Sequence, residues 1–421
     1  MLKSVNQELL VSLDIGTSKI ISLVGEIINK NINIIGIGIC KSQGIDKNGI
    51  NNFDALVNCI KKCIQKSEKS ANCKITSVLL SISHESIHST NEKGMIPLSQ
   101  KEITSQDIEK VIHTAKTVQI KKTHEIIHII PQEFIIDNKS GIKNPLGMSG
   151  MRMETNVHLI TCSKEIIKNL KKAVEKIGIY VNQVIFSGLA SSQSVLTDQE
   201  KQFGSCMIDI GGDNIDITIY FANSLAYSKV IPYAGNTVTQ DIAYAFSISN
   251  EEAEKIKIKY GTALEYNMTQ NELIDIYNIN GEIIKKITQQ KLSEVIEARY
   301  TELLCLIKQQ ILIIQENRAI KNQNYEIRGG IILTGGGANI NSLISCAKKI
   351  FYNFPIRIGI PHNVINKLNI EITQPEYSTV IGLLFYNKDR LKKINAITTS
   401  HFSSSNFLYK INNWIKKKIN K

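Results

Sequence analysis

The sequence predicts an α/β protein in which one supersecondary unit occurs twice, with a smaller α+β unit inserted after the first copy. Three observations predict it. Residues 207–218 read Met-Ile-Asp-Ile-Gly-Gly-Asp-Asn-Ile-Asp-Ile-Thr. An apolar run ends at Asp209, a glycine turn follows, and alternation resumes at Ile215, Ile217 and Ile219, the pattern of strand, turn and strand. Residues 9–25 repeat it, with Asp14 closing the first strand and Gly16 in the turn. A third glycine turn, Leu333-Thr334-Gly335-Gly336-Gly337, follows the apolar stretch 330–333. One such loop is weak evidence, because glycine turns after strands are common. Three in this order are far more specific. Glycine there permits φ > 0 and, lacking Cβ, lets backbone N–H groups close on an anion. Each half thus carries a candidate phosphate loop, and Asp209 is placed to hold a hydrated Mg²⁺ beside the anion.

Taken in order, residues 10–13 and 20–26 form the first hairpin, and 33–40 a third strand with Gly36 and Gly38 inside it. Residues 51–66 place Phe53, Leu56, Val57, Ile60 and Ile64 at helical spacing. Residues 75–83 form another buried strand. This β-β-β-α-β order builds a two-faced α/β domain. Residues 84–162 differ. A strand ends near Pro97, Ser105 is placed to cap a helix, 125–137 is a long strand, 141–150 is turn-rich, and 155–162 returns. Ser163 caps the next helix, and the strand 181–186 leads into a helix through Val195. After the hairpin at Asp209 come a strand over 230–235, helices over 238–246 and 251–260, and a long helix over 292–320. A strand-loop-helix over 330–351 follows, and the last core helix begins at 382–384.

The chain is long enough for two or three domains. No apolar run approaches the ~18 residues that span a bilayer, and Asp14 cuts short any signal-peptide core, which argues against export. The formal net charge of +12 invites a nucleic-acid reading. Lys, Asn and Ile are spread throughout, however, and no basic motif interleaved with aromatics occurs, so nucleic acid is not expected as a partner. Cys59 and Cys63 lie one helical turn apart, but a zinc site would need a fourth ligand that is not evident. His84/His88 and His124/His128 fall in strand-like sequence, where a spacing of four separates the rings by about 13 Å; they read as solvated side chains rather than ligands.

After Asn387 the pattern changes. Residues 388–405 show no sustained period and end in Ser403-Ser404-Ser405, a linker. Asn406 caps a helix to Lys421, on which Phe407, Leu408, Ile411, Trp414, Ile415 and Ile419 share one face and Lys416 and Lys417 flank it. Such a helix suits in-plane membrane attachment. Full burial of a large apolar residue contributes ~1.5–3 kcal/mol, and each lysine near an anionic leaflet adds about 1 kcal/mol. Docking on the protein's own core is the alternative, but core helices rarely follow a polar linker or carry so many lysines.

Along nearly its whole length the chain resembles the FtsA family of bacterial actin-like cell-division proteins. The carrying stretches are 12–25, 207–220, 230–246 (Val-Ile-Pro-Tyr-Ala-Gly-Asn-Thr-Val-Thr-Gln-Asp-Ile-Ala-Tyr-Ala-Phe), 294–304, 331–339, 377–384 and the terminal helix. The resemblance implies an actin-like ATPase fold of two facing lobes with ATP and Mg²⁺ between them. Residues 1–83 would form lobe 1, with 163–195 and about 375–387; 84–162 would be the inserted subdomain termed 1C. Residues 196–374 would form lobe 2, whose subdomain over about 231–328 binds the FtsZ tail. Residues 406–421 would be the amphipathic membrane-targeting helix. It further implies filaments of the protein with itself, binding to anionic lipids at the cytoplasmic face of the inner membrane at the division site, anchoring of the FtsZ ring, and recruitment of later divisome proteins.

By matching position, Asp14, Gly16, Thr17 and Ser18 would form the first phosphate loop and Asp209, Gly211 and Gly212 the second, with Asp14 and Asp209 orienting Mg²⁺ through water. Lys19 would contact phosphate or be solvated. Gly235 would join the cofactor site, Glu254 and Lys257 would contact ribose and adenine, and Gly335, Gly336 and Gly337 would pack on the nucleoside. Lys291 and Arg299 would meet acidic residues of the FtsZ tail. One departure stands out: the family's second loop usually reads Gly-Gly-Gly-Thr, whereas here Gly212 precedes Asp213 and Asn214. A carboxylate ~4 Å from phosphate costs up to about 4 kcal/mol at an effective dielectric near 20, less with Mg²⁺ beside it. Weak nucleotide binding or negligible hydrolysis, at most a weak ATPase, is therefore expected. The alternative is that Asp213 turns outward with little effect. A small-molecule kinase and a pilus-assembly protein of the same superfamily are the competing readings; neither would be expected to carry the terminal helix.

Overall fold

The computed structural model describes residues 9–28, 31–99, 102–117, 120–264, 273–277, 282–319, 326–366, 368 and 371–386. The linker 388–405 and the terminal segment bearing Phe407, Leu408, Ile411, Trp414, Ile415, Lys416, Lys417 and Ile419 lie outside the described residues.

The chain opens with β1 (Leu9–Ile15), β2 (Lys19–Ile28), β3 (Asn31–Lys41), the short strands β4 (Ile45–Asp46) and β5 (Gly49–Ile50), helix α1 (Phe53–Ala71) and β6 (Ser77–Ile82). The next stretch holds β7 (His88–Pro97), α2 (Ser105–Lys116), β8 (His124–Ile136), β9 (Lys139–Ile142) and β10 (Arg152–Ser163). Then come α3 (Lys164–Glu175), β11 (Tyr180–Phe186), α4 (Ser187–Val195), α5 (Asp198–Phe203), β12 (Ser205–Ile210), β13 (Ile215–Phe221) and β14 (Ser224–Ile231). Helices α6 (Gly235–Phe246) and α7 (Asn250–Tyr260), strands β15 (Leu273–Tyr277) and β16 (Ile283–Thr288) and helix α8 (Gln289–Ala319) follow. The described chain closes with β17 (Gly330–Thr334), α9 (Leu343–Ile350), β18 (Ile356–Ile358), β19 (Val364–Asn366) and a helix over 378–386.

The two large sheets correspond strand for strand. The first runs β11-β6-β1-β2-β3, with β19 added at its edge; the second runs β18-β17-β12-β13-β14. In each, an antiparallel hairpin (β1–β2, β12–β13) delivers the acid-glycine turn, and the next strand inward (β6, β17) lies parallel to the first strand of that hairpin. The repeated sequence pattern is thus a repeated topology. The third sheet, β7-β10-β8-β9, packs α2 on one face and forms the inserted α+β unit.

Close approach rather than turn geometry explains several glycines. A Cβ on Gly38 of β3 would stand 2.0 Å from the Cys63 carbonyl, so α1 lies directly on that strand. A Cβ on Gly382 would stand 1.8 Å from the Ala190 carbonyl, so helix 378–386 crosses α4 backbone to backbone. This crossed pair sits between the two sheets. Val380, Ile381 and Leu384 pack with β1, β2 and β3, while Ser378 and Thr379 reach the second sheet.

The structure corrects several local readings. Thr104, not Ser105, caps α2, accepting from the Asp107 N–H in a capping box. Ser163 makes no side-chain cap bond to α3. The strand placed over 230–235 is the end of β14, and Gly235 already belongs to α6. The strand-loop-helix over 330–351 is β17, a 3₁₀ turn at Gly336–Asn339 within the glycine loop, and α9, which starts at Leu343. The β15–β16 hairpin was not anticipated. The histidines are not all solvated: His88 stacks on His124 with ring centroids 5.5 Å apart. His128 is buried, accepts from the Phe186 N–H at 2.9 Å, and is pushed down to about 3 by that burial.

The insert is tied to the second sheet, not only to the lobe that bears it. Asn91 Nδ2 donates to the Ala226 carbonyl (2.9 Å), Ser89 Oγ to the Ser228 carbonyl (2.7 Å), and Lys143 Nζ to the Ala222 carbonyl (2.7 Å). The fully buried His158 bridges Asn91 Oδ1 (2.8 Å) and Ser228 Oγ (2.9 Å). Asn91→Ala removes the bonds to Ala226, Gln132 and His158. It is expected to lower stability by about 1–3 kcal/mol, measured by urea unfolding; no change would show that this seam does not hold the insert.

Candidate functional site

The two acid-glycine turns face each other across a cavity of about 500 Å³. Their geometry is the same. Gly16 N–H donates to the Lys19 carbonyl (3.1 Å), and Gly211 N–H donates to the Asn214 carbonyl (2.9 Å). A Cβ would meet those oxygens at 2.8 and 2.9 Å. Gly16, Gly211 and Gly212 therefore serve by leaving room, and none has positive φ, contrary to the expectation from the sequence. The loops also touch: a Cβ on Gly212 would lie 2.4 Å from Ser18 Oγ and 2.7 Å from Thr17 Oγ1. Of the third turn, Gly335 does take φ 87° and packs on Asp209 and Ile210, and Gly337 packs on Ile210. Gly336 has no atom nearer its missing Cβ than 4.0 Å and faces open space.

Three carboxylates line the cavity floor, Asp209 and Asp216 buried and Asp14 partly so. Asp14 accepts from Ser81 Oγ (2.5 Å). Asp209 accepts from Ser191 of α4 and from Thr379 of the crossing helix (3.0 Å). Asp216, the cross-strand partner of Asp209, accepts from Ser83 Oγ (2.6 Å). Burial pushes Asp14 up to about 6; the Ser81 hydroxyl opposes this, the neighbouring Asp209 adds to it, and Lys19 opposes it. Burial raises Asp209 against the hydroxyls of Ser191 and Thr379. It raises Asp216 strongly, with the charges of Asp209 and Asp14 adding. A divalent cation beside these groups would relieve both the desolvation and the mutual repulsion.

Sequence reasoning missed Asp216. Alternation put Ile215, Ile217 and Ile219 in the core and left Asp216 on the other face, yet every residue of β13 is buried. An acid inside a strand covered on both sides was the available signal. Asn214, whose amide donates to the Ser83 carbonyl (3.0 Å), and Asn236 were missed as well.

The remaining candidates are also placed. Lys19 lines the cavity and pairs with Glu376 at 2.8 Å. Lys257 is buried, donates to the Gly235 carbonyl (3.0 Å) and Thr239 Oγ1 (2.7 Å), and pairs with Glu254 at 2.6 Å. Gly235, Glu254 and Lys257 line the cavity with Gly335, Gly336 and Gly337. Thr17 Oγ1 is buried without a hydrogen-bond partner among the described residues, a group left for a ligand to satisfy. Arg299 is engaged within its own subdomain by Asp241 and by Glu302 at 2.6 Å. Lys291 is exposed at the start of α8. The cavity is lined by seven acidic side chains and two lysines. A polyphosphate entering it needs an accompanying cation. The donor set, all hard oxygen, and the orphaned Thr17 hydroxyl fit a Mg²⁺–nucleotide.

Comparison with known proteins agrees with this architecture. A family model described as "Cell division protein FtsA" matches residues 206–382, and one described as "SHS2 domain inserted in FTSA" matches residues 85–161. The chain is 43% identical over 420 residues to the cell division protein FtsA of Escherichia coli (strain K12), covering 99% of this chain and 100% of the relative. It is 50% identical over 418 residues to the FtsA of Buchnera aphidicola subsp. Acyrthosiphon pisum, covering 99% and 100%. Among solved structures it is similar to a PilM–PilN type IV pilus biogenesis complex (TM-score 0.65, 14% identity, 90% of this chain and 98% of that one). It is also similar to MreB5 of Spiroplasma citri bound to ADP (TM-score 0.52, 16% identity, 92% and 98%). These likenesses show an actin-like ATPase fold with an inserted domain.

The buried floor predicts a trade of stability for binding. An acid whose pKa is higher folded than unfolded stabilises the fold while protonated. That contribution is lost as pH rises from its ordinary 3.8 through about 6. Asp14→Asn is expected to be more stable than wild type at pH 7 by on the order of 3 kcal/mol. The two should converge near pH ~4 in urea unfolding. A variant less stable at pH 7 would contradict this reading of the floor.

Proposed function

The chain belongs to the FtsA family of cell-division proteins, and from that premise we propose that it is a membrane-tethered, actin-like scaffold whose assembly is governed by MgATP bound between its lobes. The observation that carries this is the pair of equivalent glycine turns, one from each lobe, brought face to face over three carboxylates. Asp14, Thr17, Ser18, Asp209, Gly211 and Gly212 are assigned to the phosphates and to Mg²⁺ held through water. Glu254, Lys257 and Gly336 are assigned to the nucleoside end. When bound, Mg²⁺ neutralises phosphate charge. The protein's own part is to orient the two loops and keep water from the floor.

The reading extends to partners. Lobe 2 presents an apolar patch on β15 and β16, with Leu273, Tyr277, Ile283 and Ile284 all at least 44% exposed and Lys291 following in the chain. This supports docking of the FtsZ tail on that subdomain. Residues 406–421 supply attachment to anionic lipids on the cytoplasmic face of the inner membrane, and copies of the chain polymerise along it. One anchor binds reversibly, and several on one filament bind firmly by avidity. The filament then links the FtsZ ring to the membrane and recruits later divisome proteins. At most weak ATP hydrolysis accompanies this, because Asp213 stands in the second loop.

Two measurements test it. In sedimentation with anionic liposomes, the full chain is expected to pellet and a chain lacking 406–421 to stay in the supernatant; equal pelleting would refute the anchor. In isothermal titration, Asp213→Gly is expected to bind MgATP about tenfold or more tightly than wild type, since removing one repulsive contact is worth roughly 1–4 kcal/mol. Equal affinities would end the assignment of repulsion to Asp213.

A further inference from the structure

Asp213 does not stand alone in the cleft. Asn236 Nδ2 donates to Asp213 Oδ1 at 3.0 Å, and Asn236 Oδ1 accepts from Ser18 Oγ of the opposite loop at 3.3 Å. Asn236 is the second residue of α6, and its own N–H donates to the Gly212 carbonyl at 2.7 Å. One amide side chain therefore touches both glycine loops, while its backbone is fixed to one of them. We infer that Asn236 is a positioning residue that pins the Asp213 carboxylate at the cavity wall against the first turn of α6, so that it does not swing across the path of the phosphates, and so keeps this altered loop able to accept a nucleotide. The inference rests on the nucleotide reading of the cleft.

The chemistry supports the assignment. Gly212 and Asp213 occupy the part of the loop where the backbone must approach an anion, and an unanchored carboxylate there would swing through that space. Three restraints act against this. The amide bond satisfies one carboxylate oxygen. The first turn of a helix offers partial positive charge, which favours an anion beside it. The bond from Ser18 keeps the amide oriented, because a hydroxyl donates to the amide oxygen and leaves the nitrogen facing Asp213. Asn suits the role for the same reason: it presents a donor to the acid and an acceptor to the hydroxyl at once. Asp in its place would set two carboxylates against each other.

A double-mutant cycle tests it. MgATP binding is measured by isothermal titration for wild type, Asn236→Ala, Asp213→Asn and the double variant, with thermal melting of all four without nucleotide. Asp213→Asn removes the charge and keeps the shape. Asn236→Ala is expected to weaken MgATP at least tenfold in wild type and less than threefold in the Asp213→Asn background. Its Tm loss is likewise expected to be larger when Asp213 is present. Adenosine, which lacks phosphate charge, should bind wild type and Asn236→Ala equally; a merely structural loss would weaken it too. The same loss of MgATP affinity in both backgrounds, or no loss in either, would overturn the assignment to Asn236 alone. Absence of MgATP binding in all four proteins would overturn the nucleotide reading and the inference with it.

Discussion

The cleft is organised around the burial of the Asp209 carboxyl inside the protein. Its carboxylate lies at the end of β12, nearly out of reach of water, and takes hydroxyl donors from two helices that cross beneath the cavity. Ser191 comes from α4 and Thr379 from helix 378–386, and the two hydroxyls also bond each other at 2.9 Å. The crossed helices thus meet the second lobe at one acid. Burying a carboxylate without a full countercharge costs several kcal/mol, and Asp14 and Asp216 repeat that cost within the same cavity. A fold selected for stability alone would not concentrate three of them. A fold that binds a divalent cation and a polyanion has reason to.

The packing serves the same end. α4 is made of small residues and is almost wholly buried, and Gly382 lets the second helix cross it in direct contact. The two lobes can then share a thin floor. Arg357 fixes the far side of that floor, with a guanidinium fork on Glu200 and a bond to the Val195 carbonyl at 2.7 Å. The insert, carried by lobe 1, is hydrogen-bonded to β14 of lobe 2. A change in the angle between the lobes therefore has to be accommodated at the seam of Asn91 and His158.

Much of this was legible in the sequence, for a physical reason. A strand that ends in an acid and turns on glycine leaves a strong local pattern, and it occurs twice here because the topology does. The long helices and most strands follow from their apolar spacing. What was not legible depends on tertiary approach. The glycines of the first two loops looked like φ > 0 positions, but Gly16 and Gly211 answer to a carbonyl three residues on and Gly212 to hydroxyls of the facing loop. Asp216 looked outward because alternation says nothing about a sheet covered on both faces. The role of Asn236 depends on an opposite loop more than two hundred residues away. The pairing of Arg299 with Asp241 joins two helices that no sequence spacing connects.

Membership of the FtsA family and an acid at position 213 sit together without conflict: the amide of Asn236 anchors the Asp213 carboxylate. On the proposed function, both loops close on one polyphosphate. Hydrogen–deuterium exchange of the full chain, with and without MgATP, tests it most directly. Slower exchange is predicted at both 14–19 and 209–214, on opposite lobes, at the same nucleotide concentration. Protection of one segment only, or of neither, would contradict it.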